Sequence, residues 1–192
     1  MMAALACGRS KTGGFSACEL NILNGTDSIM RVLTIEDSLD NVVLRAASHD
    51  FSLEELMSDE FKKLERMMIA TVTHPSQDGV GIAGPQVGLN RRIVAVQRFD
   101  KEGEPFEVYA NVRIVWLSDS LAYGPEGCLS VPDRRGNVLR SQQIVIEYAD
   151  LASLSHSCDD IPMARDTVSG FTAVIFQHEI DHLEGVLYID RL

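Results

Sequence analysis

Nine consecutive residues, Gln177-His178-Glu179-Ile180-Asp181-His182-Leu183-Glu184-Gly185, constrain this chain more than any other stretch. At about 100° of rotation and about 1.5 Å of rise per residue, positions four apart on an α-helix share a face, so His178 and His182 can reach one metal ion. Glu179 then lies beside that ion, its carboxylate free for proton transfer. Two imidazoles at i and i+4 with an intervening glutamate are the pattern of a hydrolytic metal site. Spacing alone also fits a solvated helix face, but Phe171, Val174, Ile175 and Ile180 make this helix largely apolar. Its histidines therefore face an interior or a cleft, where imidazoles need partners. Gly185 supplies the residue that ends the helix.

A catalytic metal usually takes three protein ligands and keeps one position open. The best third candidate is Cys128, in Gly124-Pro125-Glu126-Gly127-Cys128-Leu129-Ser130-Val131-Pro132, which reads as an apolar turn framed by Gly and Pro. An isolated cysteine also fits an inert buried small residue. A further segment, Gly79 to Leu89, is dense enough in glycine for backbone to approach a ligand closely. Gly79, Gly81 and Gly84 match the dinucleotide-binding spacing, but that fingerprint follows a strand, and residues 71–78 are polar and broken by Pro75. The segment reads as the wall of a substrate cleft with Gln86 pointing into it, or else as a purely structural glycine turn.

The rest of the chain fits one domain. At 192 residues and 45% hydrophobic content it can bury a sizeable core. A net charge of −11, with a pI near 4.8, argues against binding nucleic acid or anionic membrane through bulk charge. No run approaches the roughly 18 apolar residues of a membrane span. Ser52-Leu53-Glu54-Glu55 is a capping-box signature, and Leu53, Leu56, Met57, Phe61, Leu64 and Met68 recur at helical spacing, predicting one amphipathic helix over residues 52–70. Strands are expected at 92–97, 106–110, 113–117 and 143–148, with a hairpin loop at 100–104 and a mobile connection over 153–169. Helix, then strands, then the ligand helix is an α+β arrangement with mainly antiparallel sheet packed around the C-terminal metal-binding helix.

Taken together and in this order, the three segments resemble the peptide deformylases. That family carries Gly-x-Gly-x-Ala-Ala-x-Gln, Glu-Gly-Cys-Leu-Ser and His-Glu-x-Asp-His, found here as Gly79 to Gln86, Glu126 to Ser130 and His178 to His182. The resemblance runs from about Met30 to Leu192, and three coordinated motifs make it highly specific. One departure is visible: Gly84 stands where the family usually has its second alanine, which should loosen the turn slightly. The resemblance implies a single catalytic domain over 30–192. It implies that Cys128, His178 and His182 bind one divalent metal, Fe²⁺ or Zn²⁺ with Ni²⁺ also possible, and that Glu179 is the general acid/base. Gln86 and the Leu129 backbone N–H would hold the oxyanion, donors typically worth about 2.7 to 4 kcal/mol each. Val80, Gly81, Ile82 and Gly127 would meet an extended N-formylated nascent polypeptide whose first side chain, methionine, enters an apolar pocket. Glu126 and Arg140 match family positions that brace the cysteine loop, unless they form only a solvated surface pair. Asp181 is an outward-facing helix residue or a hydrogen-bond partner of a loop.

Two other function classes stay open at this point. A zinc peptidase built on the same helix motif would want another His or Glu ligand further along, and only seven residues follow Gly185. A deformylase-like metal-binding protein with little turnover is the other, motivated by Gly84 and the N-terminal arm. Residues 1–29 show no helical or strand period over most of their length and read as a flexible or loosely docked arm. The expected location is the cytoplasm, with a monomer favoured. Met2-Ala3-Ala4-Leu5-Ala6-Cys7-Gly8 offers an alternative, an exported lipoprotein anchored through Cys7, although a basic leader and a long apolar run are missing. Cys7, Cys18, Cys128 and Cys158 form no Cys-x-x-Cys pair, so cysteine spacing does not fix the compartment.

Overall fold

The computed structural model describes residues 14–25, 28–77, 79–156 and 160–192. Four helices come first: α1 (Ala17–Asn24), α2 (Ser38–Leu44), α3 (Leu53–Leu56) and α4 (Asp59–Val72). Eight strands follow: β1 (Gly81–Ala83), β2 (Ile93–Gln97), β3 (Phe106–Ala110), β4 (Arg113–Leu117), β5 (Leu121–Cys128), β6 (Val131–Ser141), β7 (Gln143–Ala149) and β8 (Met163–Ser169). Helix α5 (Gly170–Leu183) closes the order, before a short 3-10 turn at Tyr188–Arg191. The strands form two three-stranded sheets, β1-β2-β3 and β4-β7-β8, and the hairpin β5-β6, all antiparallel. The α+β reading holds. Among the described residues no helix is long and apolar enough to cross a membrane.

Two apolar cores organise these layers. One lies between the N-terminal helices and the first sheet, where Phe61, Leu64 and Met68 of α4 meet Ile82 and Ala95. The other wraps α5: Ala173, Phe176, Ile180 and Leu183 pack against Val94 and Val96 of β2 and Ile144 and Ile146 of β7. Helix α5 is thus enclosed on several sides, which explains why its apolar residues are not confined to one narrow stripe.

Four local expectations need correction. The single helix over 52–70 is two, because Ser58 intervenes: its hydroxyl donates to the Glu55 carbonyl at 2.6 Å and accepts the Phe61 N–H at 3.1 Å. Asp59 and Glu60 then favour a fresh N-terminus beside that cap. Met57, counted in the apolar stripe, falls at the break and is exposed. The arm over 1–29 contains α1, started by a reciprocal capping box between Ser16 and Glu19 and docked through buried Leu23. Residues 153–169 are not all irregular, since 163–169 pair along β7. The alternation of β8 is hidden in sequence because one inward position is Asp166, bonded to buried Arg98 at 2.9 Å. Finally, the turn read at 124–132 is the tip and one arm of the long β5-β6 hairpin. Its backbone ladder overrides glycines and prolines that read as loop.

Candidate metal centre

Two elements, β5 and α5, converge on one point. Strand β5 ends at Cys128, where the hairpin register shifts between Gly127 and Cys128, and α5 supplies His178 and His182 one turn apart. One ligand atom from each of Cys128, His178 and His182 lies within 4.8 Å of the others. The Cys128 Sγ is 3.2 Å from the His182 Nε2. A soft sulfur with two imidazoles is a donor set suited to Zn²⁺ or Fe²⁺.

The surroundings fit a cation. Glu126, two residues before the cysteine, lies 2.8 Å from the His178 Nδ1. Arg140 on β6 donates to both oxygens of Glu126, at 2.8 and 3.1 Å, and to Asp181 at 2.6 Å. Burial pushes the Glu126 carboxyl up, but its bonds with His178 and Arg140 outweigh this and bring it down to about 2. Ionised Glu126 can only accept, so His178 donates through Nδ1 and presents Nε2 to the site. Burial opposes charge on His178, yet the Cys128 sulfur and Glu126 lift it to about 10. His182 is biased the other way: burial, then the nearby His178, Arg45 and Arg140, push its imidazole well below the ordinary value. The reading of Glu126 and Arg140 as a solvated pair is excluded by their burial, at 6% and 5% exposure. Asp181 proves to be a hydrogen-bond partner, held by Arg140 and by Arg191 of the last turn at 2.5 and 2.6 Å.

Glu179 follows His178 on α5. It is buried, with Oε2 lacking a hydrogen-bond partner among the described residues, and burial drives its carboxyl up to about 7. Gly81 of β1 lies directly against it. Ala83 follows, and the short 3-10 turn Gly84–Val87 presents Gln86. The Gln86 Oε1 accepts the Ala83 N–H at 2.8 Å, which fixes the amide and turns Nε2 towards the Cys128 sulfur at 3.5 Å and the Ser130 hydroxyl at 3.2 Å. Gly84 does not loosen this turn. A Cβ there would lie 2.6 Å from the Arg91 carbonyl oxygen and 2.7 Å from that of Leu89, so the missing methyl admits a close backbone approach.

A cavity of about 800 Å³ opens over the centre, lined by Val80, Gly81, Gln86, Glu126, Gly127, Cys128, Leu129, His178 and Glu179 among others. Of the site residues named from sequence, Ile82 and His182 do not line it: Ile82 is fully buried in the first core, and His182 is buried beside the Cys128 sulfur. The Ile82 side chain packs inward, while its neighbour Gly81 lines the cleft and Ala83 lies in the second core. Sequence reading missed Phe171, Val174 and Ile175 as the apolar wall of this cavity, although their spacing on α5 was visible. It also missed Ser130, which holds the Gln86 amide, and Tyr188, whose ring stacks on His178 at 6.0 Å and 22°. No local spacing signals either contact. Cys7, invoked for a lipid anchor, lies outside the described residues.

Comparisons with known proteins point to one family. The family model for polypeptide deformylase matches residues 29–192. A peptide deformylase of Leptospira biflexa is 38% identical over 161 residues, covering 80% of this chain and 84% of the relative. Peptide deformylase 2 of Gloeobacter violaceus is 39% identical over 157 residues, covering 81% and 76%. Among solved structures, a Met-Ala-Ser-bound class I type b peptide deformylase from Acinetobacter baumannii matches with a TM-score of 0.71 at 31% identity, covering 87% of this chain and all (100%) of that one. The peptide deformylase of Thermotoga maritima matches with a TM-score of 0.71 at 30% identity, covering 86% and 99%. Since the family match spans the glycine strand, the cysteine hairpin and the ligand helix alike, the chain belongs to the polypeptide deformylase family, hydrolases that remove the formyl group from peptide N-termini.

Proposed function

We propose that residues 30–192 form a single catalytic domain that hydrolyses the formyl amide of formyl-methionyl nascent polypeptides, with Cys128, His178 and His182 as metal ligands. The observation that carries this reading is the approach of those three donor atoms to within 4.8 Å at the floor of a cleft that also holds buried Glu179. A divalent ion there, Fe²⁺ or Zn²⁺ with Ni²⁺ possible, would supply Lewis acidity and lower the pKa of a coordinated water. Glu179 accepts the proton of the attacking water and returns it to the departing amine nitrogen, so that amide and water become formate and a free N-terminus. Its raised pKa lets it hold a proton near neutral pH. The Gln86 amide, oriented by Ala83, and the Leu129 N–H stabilise the oxyanion.

The edge of β1 at Val80, Gly81 and Ile82, with Gly127 opposite, pairs with the extended substrate backbone. Phe171, Val174 and Ile175 offer the apolar wall for a methionine side chain. The Acinetobacter relative, solved with Met-Ala-Ser, supports a peptide beginning with methionine in this cleft. A cytoplasmic monomer acting on nascent chains is the setting proposed.

The test is anaerobic purification, elemental analysis and a formate assay on formyl-Met peptides beside their unblocked counterparts. About one metal per chain and formate release from blocked peptides alone are expected. Cleavage of internal peptide bonds without formate would instead identify a peptidase, and a loaded site without formate release a binding protein.

The Glu126–Arg140 pair yields a second expectation. Arg140→Ala removes the partner that holds Glu126 ionised and in place, so His178 loses its fixed tautomer, and metal affinity should fall about 10- to 100-fold. Metal titration of the folded variant reads this out. Unchanged affinity would reduce Arg140 to a tie between the hairpin and α5.

A further inference from the structure

Gly81 has no backbone reason to be glycine. It is paired with Val96 in an antiparallel ladder, and its φ lies outside the left-handed region, so any residue could adopt this conformation. What singles it out is its neighbour. A Cβ at position 81 would lie 2.5 Å from the Glu179 Oε1, 2.9 Å from its Cδ and 2.9 Å from its Cγ. All three of the nearest atoms belong to that one side chain. Strand β1 is fixed by its pairing with β2, and α5 is enclosed by the second core, so neither backbone readily gives way. The carboxylate is the part that must move.

We infer that Gly81 is a positioning residue for the reaction: its bare Cα forms the wall against which the Glu179 carboxylate is set, and one added methyl would swing that carboxylate out of reach of the attacking water. The inference rests on the proposed role of Glu179 and adds a cause for its placement. A buried carboxylate with one oxygen unpartnered among the described residues has little hydrogen bonding to hold it, so shape has to do so. Displacing a proton-transfer group by about 1 Å can cost on the order of 100-fold in rate.

The test is a cycle of Gly81→Ala in three backgrounds. In the wild-type chain kcat should fall about 30- to 100-fold, with KM changed less than about threefold and metal content intact. In Glu179→Asp, whose carboxylate is withdrawn by one methylene, the same substitution should cost about twofold or less. In Glu179→Ala, where the obstructing atoms are gone, Gly81→Ala should leave the melting temperature unchanged or raise it slightly, whereas in the wild-type chain it should lower it. An equal rate cost in the wild-type and Glu179→Asp backgrounds, or a loss expressed chiefly in KM, would show that Gly81 serves substrate pairing and overturn the inference. Should Gly81→Ala alone fail to fold, recovery of folding in the Glu179→Ala background supports it, and continued failure there sinks it. The melting comparison needs no substrate. Absence of formate release from the unaltered chain would therefore refute the proposed reaction while the melts still decide the packing.

Discussion

Glu179→Gln is expected to lower kcat/KM for formate release by about 10² to 10⁴, the range associated with loss of a positioned proton-transfer group, while metal content stays near that of the wild type. The amide keeps the volume of the carboxyl but cannot shuttle a proton. Glu179 lies outside the Cys128, His178 and His182 cluster, so the cluster itself is untouched. Stability should hold or improve, since burial already penalises the charged form and one oxygen has no partner among the described residues. Formate kinetics and elemental analysis on the same preparation check both halves. Activity within tenfold of wild type would remove Glu179 from the mechanism, and loss of metal would move it into the ligand set.

The largest expected effect on stability lies far from the cleft. Arg91 is 1% exposed and donates to Glu19 at 2.5 and 3.2 Å and to Glu55 at 2.9 Å. Its guanidinium also sits over Phe15 and Phe51, 5.6 and 5.3 Å from the ring centroids. Both carboxylates complete capping boxes, Glu19 with Ser16 on α1 and Glu55 with Ser52 on α3. One cation therefore joins two helix starts. Arg91→Met leaves two buried carboxylates without their counter-charge, and unfolding in urea should show a loss of about 3–5 kcal/mol. For a chain of this size that is roughly 6–20 °C in melting temperature. Adding Glu19→Gln and Glu55→Gln should restore much of it, because glutamine still serves a capping box and no buried charge remains. A single variant that melts like wild type would show the triad to be energetically idle.

The pH dependence has a definite sign. Burial raises the Glu19 carboxyl, and bonds from Arg91 and Ser16 more than reverse that, leaving it below its ordinary value of 4.5. A carboxyl held low in the folded state stabilises fully above its unfolded pKa, and that contribution fades as pH falls through the folded one. The wild-type chain should thus lose stability below about pH 4.5, and the triple variant should lose less over the same window.

The centre was legible because its chemistry is written locally. His178 and His182 need only helical spacing to meet, and Glu-Gly-Cys marks the third donor within three residues. What stayed hidden depends on chain segments far apart. The β5-β6 ladder forms despite Gly124, Pro125, Gly127 and Gly136, since pairing across the hairpin outweighs local preference. Asp166 disguised β8 because Arg98, distant in sequence, neutralises it. Helix α1 is a different case: Ser16-Ala17-Cys18-Glu19 carries the same capping-box signature recognised at Ser52, so a local signal was there to be found. The meaning of Gly84 reversed for a spatial reason, because the carbonyls of Leu89 and Arg91 that crowd it cannot be seen in a motif.

Arg191, Asp181, Arg140, Glu126 and His178 make a file of alternating charge that begins at the penultimate residue and ends on an imidazole of the centre. Arg191 is therefore linked to the centre through bonded side chains. Substituting Arg191 would release Asp181 on its outer side and disturb the outer rung of that file, so a change made ten residues beyond Asp181 can reach the imidazole proposed as a ligand.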